Sequence, residues 1–99
     1  MSGKKELDDE AVRERAVKIR NKYGIHARPA AMLVKTAGRF RCEITIEKDG
    51  TRVSGSSIMG LLTLEGSHGS TLRLTAVGDD AVEALDALES LFKSKFNED

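Results

Sequence analysis

The chain has 99 residues, enough for one domain, and a domain of this size buries only somewhat more than ~60% of its unfolded surface. A deep active-site cleft is not expected, so any chemistry should lie near the surface. The 16 Lys and Arg residues balance the 16 Asp and Glu residues, so no net charge draws the chain to nucleic acid or to an anionic membrane.

The first dozen residues are mostly polar and charged and show no apolar period. This composition predicts a flexible N-terminal extension over residues 1–12, followed by a domain over residues 13–99. The extension lacks the apolar segment of a secretory signal peptide, and no apolar run approaches the ~18 residues that a membrane-spanning helix needs. We therefore expect a cytoplasmic protein that does not insert into a membrane.

A strand and a helix open the domain. Apolar and basic residues alternate over residues 17–20, the period of a half-buried strand, and the loop 21–24 ends the alternation. From Ala27 to Ala37 apolar residues recur at the spacing of one helix face, and Gly38 supplies the stop.

A hairpin follows. Residues 42–47 alternate between apolar and polar, Asp49-Gly50 is a strong turn signal, and a short strand covers residues 51–53. The alternation includes Cys42, the chain's single cysteine, and a buried thiol is the usual arrangement there. One cysteine excludes an internal disulfide and a cysteine-rich zinc site, and we expect neither a metal nor a cofactor.

Two more helices and one strand complete the pattern. Ser56 or Ser57 can cap a short apolar helix, and residues 72–76 alternate as a last strand. Asp80 and Glu83 have the spacing of a capping box at the start of the closing helix. The apolar stripe of that helix consists of Ala81, Leu85, Leu88 and Phe92.

The order β-α-β-β-α-β-α predicts an α+β fold: an open-faced β-sandwich with a four-stranded antiparallel sheet and three helices on one face. Regulatory ligand-binding modules and a common RNA-binding fold share this order. RNA binding would need aromatic residues on the open sheet face, yet the chain has only three Phe, one Tyr and no Trp, with Phe92 and Phe96 assigned to the closing helix. We expect no nucleic-acid partner.

The string Gly24-Ile25-His26-Ala27-Arg28-Pro29-Ala30 lies where the first strand meets the first helix. His26 therefore stands at a helix entrance, where free N–H groups and the helix dipole favour a negative charge by ~0.3–1 kcal/mol. The same potential should keep the imidazole neutral and nucleophilic, and Arg28 offers a planar fork for phosphate oxygens. For an isolated His-x-Arg pair, a capping histidine and a solvated arginine would be the simpler interpretation.

The whole string resembles the active-site motif of the histidine-containing phosphocarrier protein (HPr) family of the bacterial phosphoenolpyruvate-dependent sugar phosphotransferase system. In that family a regulatory serine lies 31 positions after the active histidine and opens a short helix. Here Ser57-Ile58-Met59-Gly60-Leu61-Leu62 stands at that spacing. The resemblance extends from about Arg13 to Phe96 and includes the Gly69 turn and the Gly78-Asp79-Asp80 entry to the last helix.

This resemblance implies that Enzyme I phosphorylates His26 on Nδ1, giving pros-phosphohistidine, and that an EIIA-type protein accepts the phosphoryl group. Arg28 would support the transfer. Ser57 would be a regulatory phosphorylation site for an HPr serine kinase/phosphorylase, besides capping its helix. The protein would be a monomeric carrier rather than a stand-alone enzyme.

Ile58, Met59 and Leu62 are core candidates, but a short amphipathic helix cannot bury every side. We expect one apolar edge to face water beside His26 and, with Ala27, to form a docking surface. His68 lies in a polar turn and receives no role.

Two alternatives stay open. The chain could be a non-catalytic module that binds partners through the same helix edge. Within the family, the ending Leu91–Asp99 is similar to the regulatory, nitrogen-related branch, whereas Ser57–Gly60 resembles sugar-system members under serine-kinase control.

Overall fold

The computed structural model describes residues 12–98, so the predicted extension lies outside the described residues except for Val12. Four strands are present: β1 (Val12–Lys18), β2 (Cys42–Lys48), β3 (Thr51–Ser54) and β4 (Thr71–Gly78). Three α-helices complete the order β1-α1-β2-β3-α2-β4-α3: α1 (Ala27–Ala37), α2 (Ile58–Thr63) and α3 (Ala81–Lys93). A short 3₁₀ turn over Lys95–Asn97 follows α3.

The strands form one antiparallel sheet in the order β1-β4-β2-β3. Because β1 and β2 both run antiparallel to β4, they point the same way with β4 between them, which is a split β-α-β arrangement. Helix α3 packs on β1 and β4, and α1 packs on α2 and α3. The predicted open-faced β-sandwich and its element order are confirmed.

The core lies between the sheet and the helices. Alternate residues of β1, β2 and β4 supply one side, as the period-2 patterns predict. The helices supply the other side, including the predicted stripe of α3. Their fully buried apolar members include Ala30, Leu33, Leu61, Ala84, Leu85, Leu88 and Phe92. The outer face of the sheet is polar, with Arg73 lying 3.7 Å from Glu47 and 3.9 Å from Glu14.

The alternation over residues 17–20 predicts the position of β1 only in part, because the strand begins at Val12 and ends at Lys18. The missed part contains Arg15, whose guanidinium faces α3 and lies 2.9 Å from the Glu89 carboxylate. Because Arg15 is charged and lies on the side of β1 that faces the helices, it interrupts the apolar alternation by which the strand would be predicted. Beyond the strand, Ile19 stays fully buried through backbone hydrogen bonds to Gly69 and Ser70, 2.8 Å each.

The predicted capping box at α3 is wrong. Asp80 is the N-cap residue but makes no side-chain cap; its Oδ2 instead accepts a hydrogen bond from the Arg41 N–H at 2.8 Å. The side chain thus ties the start of α3 to the segment before β2. Cys42 is half-buried rather than buried, and burial raises the pKa of its thiol, with the nearby Asp80 carboxylate raising it further.

The closing helix ends before Phe96, contrary to the sequence assignment. Lys95, Phe96 and Asn97 have φ values of 55°, 53° and 58°, so three successive non-glycine residues adopt the left-handed conformation. Each costs about 1 kcal/mol. Phe96 compensates by burying its ring edge-on against Phe92, with centroids 5.0 Å apart. We call residues 95–98 the left-handed turn.

None of the helices within residues 12–98 combines the length and the hydropathy that crossing a membrane requires.

Candidate functional site

His26 is the N-cap residue of α1, and its side chain makes no capping hydrogen bond. Its carbonyl accepts from the Ala30 N–H at 3.0 Å, which closes the first helical turn. Pro29 has no N–H, so the unpaired first-turn donors are those of Ala27 and Arg28. The imidazole therefore lies at the positive end of the helix dipole, and 41% of the His26 side chain is exposed. Because the ring makes no capping hydrogen bond, it remains available for other interactions.

Hydrogen bonds and one close backbone contact hold the loop before His26 in place. Asn21 is fully buried, and its Nδ2 donates to the Gly24 carbonyl at 2.7 Å. The Ile25 N–H donates to the Gly66 carbonyl at 2.8 Å. Gly24 has φ +68°, and a Cβ there would lie 2.1 Å from the Gly66 oxygen. Only glycine allows the loop to approach Gly66 this closely, which explains why the motif begins at residue 24.

A carboxylate from the left-handed turn covers one edge of the imidazole. Glu98 Oε2 lies 2.7 Å from His26 Nε2, although the two atoms do not form an aligned hydrogen bond. Glu98 Oε1 accepts from Asn21 Nδ2 at 3.0 Å. Nε2 itself is closed to solvent. With Nε2 covered, Nδ1 is the ring nitrogen left for chemistry at the surface.

Arg28 lies on the same side. Its Nη1 donates to the Phe96 carbonyl at 3.1 Å and is 3.7 Å from Glu98 Oε2. More than half of the side chain remains exposed, so the guanidinium can still reach an anion placed on His26. The exposed Tyr23 ring meets the imidazole edge-on, with centroids 6.2 Å apart.

The predicted helix α2 carries the second motif. Ser57 is its N-cap, and Ser57 Oγ accepts from the Gly60 N–H at 2.9 Å, so the predicted capping role is confirmed. Ile58 is 40% and Met59 71% exposed, whereas Leu62 is half-buried against the core. The exposed apolar edge is part of α2, and α2 packs on α1, the helix whose N-cap residue is His26.

Sequence reasoning missed Asn21, Tyr23 and Glu98. Asn21 and Tyr23 lie in a segment whose sequence indicates only a loop that ends the first strand. Glu98 is 77 residues from its hydrogen-bond partner Asn21, and no periodic pattern connects the two. His68 is exposed in the turn before β4. Nowhere in the described part of the chain do three His, Cys, Asp or Glu side chains cluster as metal ligands.

Comparison with known proteins yields one family. The family model "PTS HPr component phosphorylation site" matches residues 13–94. The phosphocarrier protein HPr of Treponema pallidum is 44% identical over 85 residues, covering 86% of this chain and 97% of the relative. The phosphocarrier protein NPr of Shewanella violacea is 46% identical over 85 residues, covering 86% of this chain and 93% of the relative.

Solved structures agree with this result. HPr-C-His of Thermoanaerobacter tengcongensis superposes with a TM-score of 0.84 at 47% identity, covering 88% of this chain and 98% of the other. HPr of the same organism has also been solved as a dimer, which matches with a TM-score of 0.71 at 49% identity, covering 83% of this chain and 94% of that one.

Proposed function

The chain belongs to the PTS HPr family, and we propose that it accepts a phosphoryl group from Enzyme I on His26 Nδ1 and passes it to an EIIA-type protein. The observation that carries this proposal is the position of His26: an imidazole at the N-terminus of α1 that makes no capping hydrogen bond, with Nε2 buried and Arg28 alongside. Such a site offers a nucleophile and the positive groups that a bound phosphoryl group needs.

The transfer follows from this arrangement. The Nδ1 lone pair attacks phosphorus, the bond between phosphorus and the donor breaks, and a phosphorus–Nδ1 bond forms. The unpaired N–H groups of the first turn of α1 and the Arg28 guanidinium then stabilise the phosphoryl oxygens. Because the site is shallow and exposed, the same group remains accessible to the next protein.

The docking surface of this proposal is Ala27 with the exposed edge of α2, namely Ile58, Met59 and the outer part of Leu62. Successive donors and acceptors must reach the same imidazole, so they should share one surface. Phosphorylation of Ser57 by an HPr serine kinase/phosphorylase would place charge beside that surface. We further propose that the carrier works in the cytoplasm. We also propose that it is a monomer, which sedimentation would check.

A second candidate is a regulatory carrier of the nitrogen-related branch. Two observations favour it: the resemblance of residues 91–99 to that branch, and the 46% identity to an NPr. The two candidates share the chemistry on His26 and differ in the acceptor. Incubating the phosphorylated chain separately with a sugar-type EIIA and a nitrogen-type EIIA distinguishes them, because the physiological acceptor should remove the label faster.

The central test uses phosphoenolpyruvate, a cognate Enzyme I and the full chain. We expect one acid-labile phosphoryl group per chain, on His26. His68→Ala should accept the same amount, and His26→Ala should accept none. Labelling of His26→Ala with wild-type stoichiometry would refute the assignment. A chain that binds Enzyme I without accepting label would instead support the non-catalytic module.

A further inference from the structure

A cleft beside the left-handed turn has no part in the function proposed above. Its volume is about 420 Å³, and small-molecule sites occupy roughly 300–1,000 Å³. Three segments that are distant in sequence line the cleft: residues 18–20, where β1 ends, residues 68–69, before β4, and Lys95 of the left-handed turn. The cleft is therefore large enough for a small ligand.

Backbone hydrogen bonds hold two of these segments together. The Gly69 N–H donates to the Ile19 carbonyl, and the Ile19 N–H donates to the Ser70 carbonyl, both at 2.8 Å. Ile19 is fully buried, whereas its neighbours in sequence, Lys18 and Arg20, are exposed. The two basic side chains thus extend from a backbone that has a fixed position beside the turn before β4.

Lys95 adds a cation from the other end of the chain. It opens the left-handed turn with φ 55°, and the next residue, Phe96, is fully buried. Strained backbone persists where the surrounding structure over-determines it, and such strain concentrates at functional sites. The family model matches residues 13–94, so Lys95 lies beyond the matched segment. The strained turn completes a cleft to which the matched segment alone contributes only two sides.

The polar side chains that line the cleft all have charge of one sign. Lys18, Arg20 and Lys95 are cationic at neutral pH, and His68 adds a fourth positive charge when it is protonated. None of the four forms an ion pair with another residue in the described part of the chain. Their charges are therefore not compensated by these residues.

The carboxylate of the adjoining cleft is already paired. Glu89 lines that cleft together with Lys18 and Arg20, but it lies 2.9 Å from Arg15 and 3.8 Å from Lys93. Like charges that are held together repel one another, and a bound anion relieves this repulsion. The first cleft therefore has the electrostatics of an anion-binding site.

We propose that this cleft binds a small soluble anion that carries two or more phosphate groups. Arg20 offers a planar fork for phosphate oxygens, and Lys18 and Lys95 act as point charges. Cations on three separate segments suit an anion whose charge is spread over more than one group. Ile19 is the one large apolar residue among the described residues that line the cleft, and because it is buried it cannot anchor a protein partner. The proposal does not depend on the role of His26.

The test titrates the ¹⁵N-labelled full chain with sodium pyrophosphate at constant ionic strength, followed by two-dimensional NMR. We expect the amides of residues 18–20, 67–70 and 94–96 to shift together and to report one dissociation constant. Orthophosphate should bind with a dissociation constant at least about tenfold higher, because it has only one group to share among the cations. Equal affinity for the two anions, or shifts confined to the first turn of α1, would overturn the proposal.

Charge-neutral variants identify the side chains that bind. Arg20→Gln and Lys95→Gln should each raise the dissociation constant for pyrophosphate by about fivefold or more. Arg52→Gln removes the same charge from β3, at the opposite edge of the sheet, and should leave the constant within about twofold. All three side chains are exposed, so the substitutions should leave the fold intact. Equal dissociation constants for Arg20→Gln and Arg52→Gln would contradict a site at this cleft.

A lipid headgroup offers the same phosphate chemistry as a soluble anion. Sedimentation with phosphatidylglycerol vesicles at the same ionic strength distinguishes the two sources. We expect the chain to stay in the supernatant, because the cleft presents no exposed apolar side chain among its described residues that could enter the bilayer. Binding to vesicles that Arg20→Gln abolishes, in a chain that does not bind pyrophosphate, would refute the assignment to a soluble anion.

Discussion

The guanidinium of Arg28 donates a hydrogen bond to the backbone carbonyl of Phe96, across 68 residues of sequence. The first turn of α1 is thereby fastened to the left-handed turn. This contact restrains the direction of a side chain that is otherwise mostly exposed. It also gives Arg28 two distinct roles, one in the fold and one in the proposed phosphoryl transfer.

Arg28→Lys separates those two roles. A lysine keeps the positive charge but loses the planar fork that grips two phosphate oxygens, so we expect transfer from Enzyme I to slow by about tenfold. The lost hydrogen bond to Phe96 should cost only about 1 kcal/mol of unfolding free energy. Stopped-flow phosphorylation and urea unfolding measure the two effects. Arg52→Lys, on the exposed strand β3, is the control. Equal transfer rates in wild type and Arg28→Lys would remove Arg28 from the mechanism.

Met59→Glu tests the docking surface. Because Met59 is largely exposed, the substitution should leave the fold intact. In a complex it would place an unpaired charge in a desolvated contact, so the dissociation constants for Enzyme I and for the acceptor should both rise by about tenfold or more. Val82→Glu adds the same charge at an exposed apolar position of α3 and should change neither constant. Titration calorimetry that finds both affinities unaltered in Met59→Glu would exclude a shared surface on α2.

Ser57→Asp imitates part of the charge of a phosphoserine. Since Ser57 caps α2, a carboxylate there can accept the Gly60 N–H and interact favourably with the helix dipole, so the melting temperature should stay within a few degrees. The same charge lies beside Ile58 and Met59, and we expect phosphorylation of His26 to slow. Thr51→Asp, on β3, supplies the control charge. Early unfolding of Ser57→Asp, or wild-type acceptance of phosphoryl groups, would show that charge at residue 57 does not act by blocking docking.

Gly24→Ala tests how the loop before His26 is held. The methyl group meets a left-handed backbone and the Gly66 oxygen at 2.1 Å, so we expect a loss of about 3 kcal/mol or more in unfolding free energy. Gly50→Ala is a matched control: its φ is +86°, but no atom lies within 4 Å of the added Cβ, and it should cost about 1 kcal/mol. If the two variants are equally stable in urea, close approach to Gly66 is not what requires glycine.

Much of the fold was predictable because most elements carry a clean period. Ile44 and Ile46 alternate with polar residues on β2, and the four apolar positions from Ala81 to Phe92 lie on one side of α3. The first half of β1 escaped detection because Arg15 occupies a helix-facing position, where its charge is balanced by acidic residues of α3 that are distant in sequence.

The candidate site was predictable only in part. His26 and its helix entrance follow from a local motif with Pro29 in the first turn. Glu98 and Asn21 could not be placed, since their contact depends on the backbone reversing direction after α3. Asp80 fits the spacing rule for a cap, but a tertiary partner, the Arg41 N–H, takes its carboxylate instead.

The surroundings of His26 include Asn21 and Glu98, which are far apart in sequence, and this has a consequence for protein synthesis. A nascent chain displays His26 early, when α1 emerges from the ribosome, but the carboxylate that covers Nε2 is translated 77 residues after the asparagine that anchors it. Until then the buried amide of Asn21 has no Glu98 to bind, and both edges of the imidazole are open. Translation products that stop before residue 95 would therefore carry the histidine motif but lack the carboxylate that covers Nε2 of its imidazole.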